Sequence, residues 1–154
     1  MAGVNGVPEG FHTVTANITV DGAAAAIDFY KRAFGAVELQ RSAAPDGEKI
    51  WHAELRIGDS MLMLNDPFPE MGGAAAKPEG GHPFGLWLYV PDADAVHAAA
   101  VAAGAHATSG VETQFWGDRT GSLTDPFGFS WTVATRVEDV SEEERQRRAA
   151  AFGA

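Results

Sequence analysis

Cysteine is missing from the sequence altogether, which excludes a disulfide framework and any thiolate chemistry. Basic charge is scarce, with 11 Lys and Arg against 21 Asp and Glu and a formal net charge of −10. A protein that neutralises phosphates needs a basic face, so nucleic acid is not an expected partner, and the acidity reads as a source of solubility. Part of the acid excess is local, in Glu138, Asp139 and Glu142 to Glu144. No stretch approaches the ~18 apolar residues of a membrane span, so no membrane partner is expected. Residues 1–10 lack a basic stretch followed by an apolar run, so no signal peptide is expected and the default location is cytoplasmic. What remains is globular in composition, 45% hydrophobic and 21% charged over 154 residues, within the range of a single domain.

A pattern recurs along the chain at an offset of about 70 residues, as in proteins built from repeated units. Ile18 to Gly22 leads into a helical stretch, Ala23 to Phe34, that stops at Gly35. Leu88 to Asp92 leads into another, Ala93 to Ala103, that stops at Gly104. Each reads as a strand, a capping residue, a helix and a terminal glycine. In the first unit either Asp21 or Gly22 is placed to cap, and Ile27, Tyr30 and Phe34 share one helix face. Strands are predicted at Thr15–Val20, Val37–Ser42, Lys49–Ile57 and Met61–Asn65, with turns at Pro45-Asp46-Gly47 and Gly58-Asp59. The second unit repeats the order with Phe84–Val90, His106–Thr108, Gly117–Leu123 and Phe129–Thr135, the last preceded by an Asp125-Pro126-Phe127-Gly128 turn. The organisation is thus a single α+β domain of two βαβββ modules: module one 11–65, a linker 66–83, module two 84–136 and a helical tail 137–154. The Pro-, Gly- and Ala-rich linker is open to two readings, a tether or a lid. Ser141 to Glu144 fits a capping box opening a helix through Phe152, either a packing or dimer-contact element or a frayed tail.

Two such modules, with that Asp-Pro-Phe-Gly turn before the last strand, resemble the vicinal oxygen chelate superfamily: glyoxalase I, bleomycin-resistance proteins and extradiol dioxygenases. The likeness spans roughly residues 11–136. The runs Gly10–Thr15, Ile27–Ala36, His52–Ser60 and Gln114–Arg119 are similar to one branch of it, the phosphonate-operon protein and demethylubiquinone-methyltransferase-like proteins. The resemblance implies curled mixed sheets that form a U-shaped cleft, with the helices on the convex side. Strand alternation then turns Ala16, Ile18, Val20, Leu62, Leu64, Leu86, Leu88 and Val90 towards the helices. Thr15, Asn17, Thr19, Met61, Met63, Asn65, Gly85, Trp87 and Tyr89 turn towards the cleft, as do His52, Glu54 and Arg56.

Metal-dependent members of that superfamily place one His, Glu or Gln on each of four strands. Here those positions fall on Thr15, Met63, Gly85 and Thr132, and no His, Asp or Glu lies within two residues of any of them. No metal and no cofactor is therefore expected. His12 and His82, three residues upstream of two of these positions, read as loop or strand-edge histidines.

Other residues remain as candidates. His52, Glu54 and Arg56 project together; Glu54 would fix the His52 tautomer for general-base work while Arg56 receives an anion, or the three form a self-satisfied polar network. Met61, Met63, Trp87 and Tyr89 offer an apolar, partly aromatic lining, or core filling. Phe115 and Trp116, with Asp118 and Arg119, either close one end of the cleft or serve as a staple with a surface ion pair. Trp131 reads as core.

The function expected is binding of a small, aromatic or amphipathic molecule by Thr15, Asn17, Arg56, Met61, Met63, Trp87, Tyr89, Phe115, Trp116 and Thr132, in a homodimer. The alternative is a lyase, isomerase or oxygenase using His52 and Glu54, with a recruited metal or as an acid–base pair. Whether the modules pair within one chain or between two is open.

Overall fold

A computed structural model of the protein describes residues 6–77 and 84–152. His82 and the end of the expected linker lie outside them. The chain divides into two compact units, Met1–Lys77 and Pro78–Ala154. The first runs β1 (Ala16–Thr19), α1 (Ala23–Phe34), β2 (Val37–Ala43), β3 (Ile50–Ile57) and β4 (Ser60–Asn65), followed by a 3-10 turn, Pro69–Met71. Its sheet has the order β1-β4-β3-β2, with β1 parallel to β4 and the remaining pairs antiparallel. The second runs β5 (Gly85–Tyr89), α2 (Ala93–Ala102), β6 (His106–Ala107), β7 (Glu112–Thr113), β8 (Asp118–Thr124), β9 (Ser130–Arg136) and α3 (Glu142–Phe152). Its order is β5-β9-β8-β6, with β7 also paired to β8. The fold is α+β, with two mixed sheets of four and five strands and neither closed into a barrel.

Helix α1 forms where the 3.6-residue period was read. It ends because Gly35 takes the left-handed conformation, φ 66°, which a side chain would strain. Its inner face buries Ile27, Phe29 and Tyr30 against Ile18, Ala53, Leu55, Leu62 and Leu64, all at most 4% exposed. Full burial of each large side chain contributes about 1.5–3 kcal/mol. In the second unit Trp131, Val133 and Leu123 form the equivalent layer, each at most 4% exposed. Trp131 is core, as alternation required.

Three differences from the sequence reading have physical causes. Gly22, one of the two residues placed to cap, is the N-cap of α1, but neither it nor Asp21 supplies a side-chain acceptor there. Instead Asp66 Oδ1 accepts the backbone N–H groups of Gly22 and Ala23, both at 3.0 Å, while its Oδ2 accepts that of Ile50 at 2.8 Å. The linker therefore opens with a buried structural carboxylate, and Phe68 packs beside it, 9% exposed. Second, β7 is too short to show a period; Glu112 and Thr113 are strand only because β8 pairs with them. Third, β-bulges shift the β2–β3 register at Leu39 and at Trp51, leaving each without a cross-strand partner.

Candidate functional site

The candidate residues gather on two sheet faces, one in each unit. In the first unit the face turned away from α1 is crossed by a row of paired residues: Asn17 beside Met63, Met63 beside Glu54, and Glu54 beside Gln40. The next row sets Met61 beside Arg56. His52 Nε2 lies 3.1 Å from Glu54 Oε1, and Gln40 Nε2 donates to the same oxygen at 3.4 Å. That contact occupies Nε2 and leaves His52 Nδ1 with no partner among the described residues. Arg56 is exposed and makes no ion pair among them. Thr15 lies just ahead of β1 and donates its hydroxyl to the His12 carbonyl at 3.3 Å. His12 is thus a loop residue.

In the second unit Trp87 pairs with Thr132, and Thr132 with Ser122, whose hydroxyl is 3.4 Å from that of Thr132. Trp87 is 50% exposed and Tyr89 56%, so neither fills a core. Their rings lie 6.2 Å apart. Behind them sits Asp118, 1% exposed, which accepts hydrogen bonds from Tyr89 Oη at 2.8 Å, Trp116 Nε1 at 3.1 Å and Arg136 Nε at 2.6 Å. Burial pushes the Asp118 carboxyl up, but the hydrogen bonds from Tyr89, Arg136 and Trp116 outweigh it and hold the group below the usual aspartate range. Trp116 and Asp118 share one side of the segment. Arg119 points the other way, to Asp94 on α2, at 2.6 Å. Phe115 meets Phe152 of α3 with ring centres 5.2 Å apart.

Several contributors were missed in the sequence. Gln40 faces Glu54 only because of the bulge at Leu39, a register shift that no local pattern signals. Arg136 was within reach, since alternation from Thr132 carries the same face to residue 136, but the strand was read as ending at Thr135. Trp51 leaves the strand alternation at the second bulge, and Phe68 and Met71 lie in the segment after β4, where no period applies.

The four positions at which the resemblance implies metal ligands are now placed: Thr15 before β1, Met63 on β4, Gly85 opening β5 and Thr132 on β9. Two neutral hydroxyls, a thioether and a residue with no side chain do not fit a divalent cation. Among the described residues no three His, Asp or Glu side chains gather as a metal site would require, and no helix is long and apolar enough to cross a membrane.

Residues 11–133 match the Glyoxalase/Bleomycin resistance protein/Dioxygenase superfamily. The uncharacterized protein Mb0911c of Mycobacterium bovis is 47% identical over 133 residues, covering 84% of this chain and 87% of that protein. The X-ray structure of the Arabidopsis thaliana gene product At5g48480 is 30% identical with a TM-score of 0.65, covering 80% of this chain and 98% of that one. A Bacillus cereus PhnB protein, titled a putative 3-demethylubiquinone-9 3-methyltransferase, shares the fold at 16% identity and TM-score 0.64, covering 80% of this chain and 99% of that one. Repeated modules, parallel outer strand pairs and a family match across most of the sequence agree: this chain belongs to the glyoxalase/bleomycin resistance protein/dioxygenase superfamily.

Proposed function

We propose that the protein binds a small aromatic or amphipathic molecule without the metal its superfamily commonly uses, and that it works as a cytoplasmic homodimer. The observation that carries this reading is the Trp87–Tyr89 pair, half-exposed on one sheet face and anchored through the Tyr89 phenol to a buried carboxylate. Large aromatic rings left open to water, with polar hydroxyls of Thr132 and Ser122 beside them, are what a site for a flat or amphipathic ligand requires. In this reading the two modules make one domain.

Titration with an aromatic or amphipathic ligand should quench Trp87 fluorescence, and Trp87→Phe should abolish that response. An unchanged response in the variant removes Trp87 from the site. The purified protein should carry no stoichiometric divalent metal. About one Zn, Ni, Mn or Fe per chain, lost in His52→Ala, would instead support a lyase, isomerase or oxygenase. That second reading rests on the His52–Glu54 contact, with Glu54 orienting the ring and Nδ1 free to take a proton.

A further inference from the structure

Within the first unit, on the sheet face turned away from α1, a slot lies beside the bulge at Trp51. Trp51, Asn65, Phe68, Met71 and Gly73 line a cavity of about 210 Å³. Trp51 and Phe68 are stacked, with ring centres 4.1 Å apart and planes 25° from parallel. Phe68 is nearly spent as a platform: it is 9% exposed, and the Lys49 ammonium lies 5.3 Å from its ring centre. The aromatic surface that remains belongs to Trp51, 38% exposed, and Met71 stands at the rim, 70% exposed. Gly73 closes the floor, since a Cβ there would lie 3.2 Å from the Phe68 backbone nitrogen.

One polar atom on a residue lining the slot is unused. Asn65 Nδ2 donates to the Asp66 carbonyl at 2.8 Å and to Thr19 Oγ1 at 3.4 Å, which fixes the amide and leaves Oδ1 without a partner among the described residues. One acceptor thus stands beside an apolar wall.

We propose that this slot binds one planar aromatic ring system with a hydrogen-bond donor at its edge. A flat guest extends the Phe68–Trp51 stack, which costs less than displacing it. The Met71 thioether bends over the ring edge, a contact favourable to sulfur and adaptable in shape. The donor of the guest meets Asn65 Oδ1, and its ring lies over the open face of Trp51. The volume falls below the roughly 300–1,000 Å³ of sites that take drug-sized molecules, so the guest is one ring system and not an elongated compound.

The test is an NMR titration of the 15N-labelled full chain with quinolin-2-one, following the indole N–H resonances, with that of Trp51 assigned by its loss in Trp51→Phe. Trp51 Nε1–H should move saturably. Piperidin-2-one, which has the same amide edge and no aromatic plane, should leave it in place. Met71→Ala, a change at an exposed residue that preserves the fold, should weaken binding about threefold. A Trp51 signal that stays put while that of Trp87 moves overturns the slot and leaves the proposed function standing. A Trp51 signal that stays put with all other indoles also overturns it, and an equal response to piperidin-2-one overturns the requirement for a planar ring.

Discussion

At the scale of single residues, two buried carboxylates divide structural from site-building work. Asp66 serves three backbone N–H groups that belong to the start of α1 and the start of β3. Asp66→Ala leaves these donors buried without an acceptor, and should lower unfolding free energy by about 2–4 kcal/mol in urea denaturation. A loss below about 0.5 kcal/mol would show that water replaces the carboxylate. Asp118 instead ties Tyr89, Trp116 and Arg136 together. Because its folded pKa is depressed, its contribution to stability is fully present above the ordinary aspartate value of about 3.9 and fades as pH falls through the lower folded value. Melting temperature should therefore fall more gently below pH 4 in Asp118→Asn than in the natural protein, from a lower starting point at pH 7. Parallel pH profiles would show that Asp118 does not titrate with folding.

At the scale of elements, α3 is tied to the segment before β8 and is no frayed tail. Ser141 Oγ accepts the Glu144 N–H at 3.2 Å, as a capping residue should. Arg148 donates to the Phe115 carbonyl at 3.3 Å and to both Glu138 carboxylate oxygens at 2.9 Å, and it also reaches Glu144. Hydrogen bonds from Arg147 and Arg148 hold the Glu144 carboxyl down at about 2, so this network persists through mild acid. Gly117 lies tight beneath the chain at Glu138, and its carbonyl accepts the N–H groups of Val137 and Glu138. Arg148→Ala should free the Phe115–Trp116 segment. Amide exchange at residues 114–117 should rise about tenfold, corresponding to roughly 1.4 kcal/mol of local stability, while exchange in α1 stays unchanged. Unaltered exchange at 114–117 would mean that the Phe115–Phe152 contact suffices.

At the scale of the whole molecule, exposed Trp87 and Tyr89 on the second unit and exposed Trp51 on the first leave aromatic surface open to water. The homodimer proposed above would cover part of it. Sedimentation equilibrium should then give twice the 16.2 kDa chain mass. A single-chain mass at micromolar concentration would overturn the homodimer.

Apart from β7 and the 3-10 turn, the order of elements, the bounds of α1 and the inward turn of Ile18, Leu62, Leu64 and Trp131 were legible in the amino-acid order. Helix period, strand alternation and a glycine stop all act between residues a few positions apart. The same alternation put His52 with Glu54. Tertiary structure alone decided that Asp66 caps a helix 43 residues away, that Gln40 meets Glu54, and that Trp51 leaves the ladder to stack on Phe68. Each of these depends on the register between strands and on which distant donors burial leaves unsatisfied. Both are set only when the sheet closes, because a bulge shifts pairing without changing any local pattern.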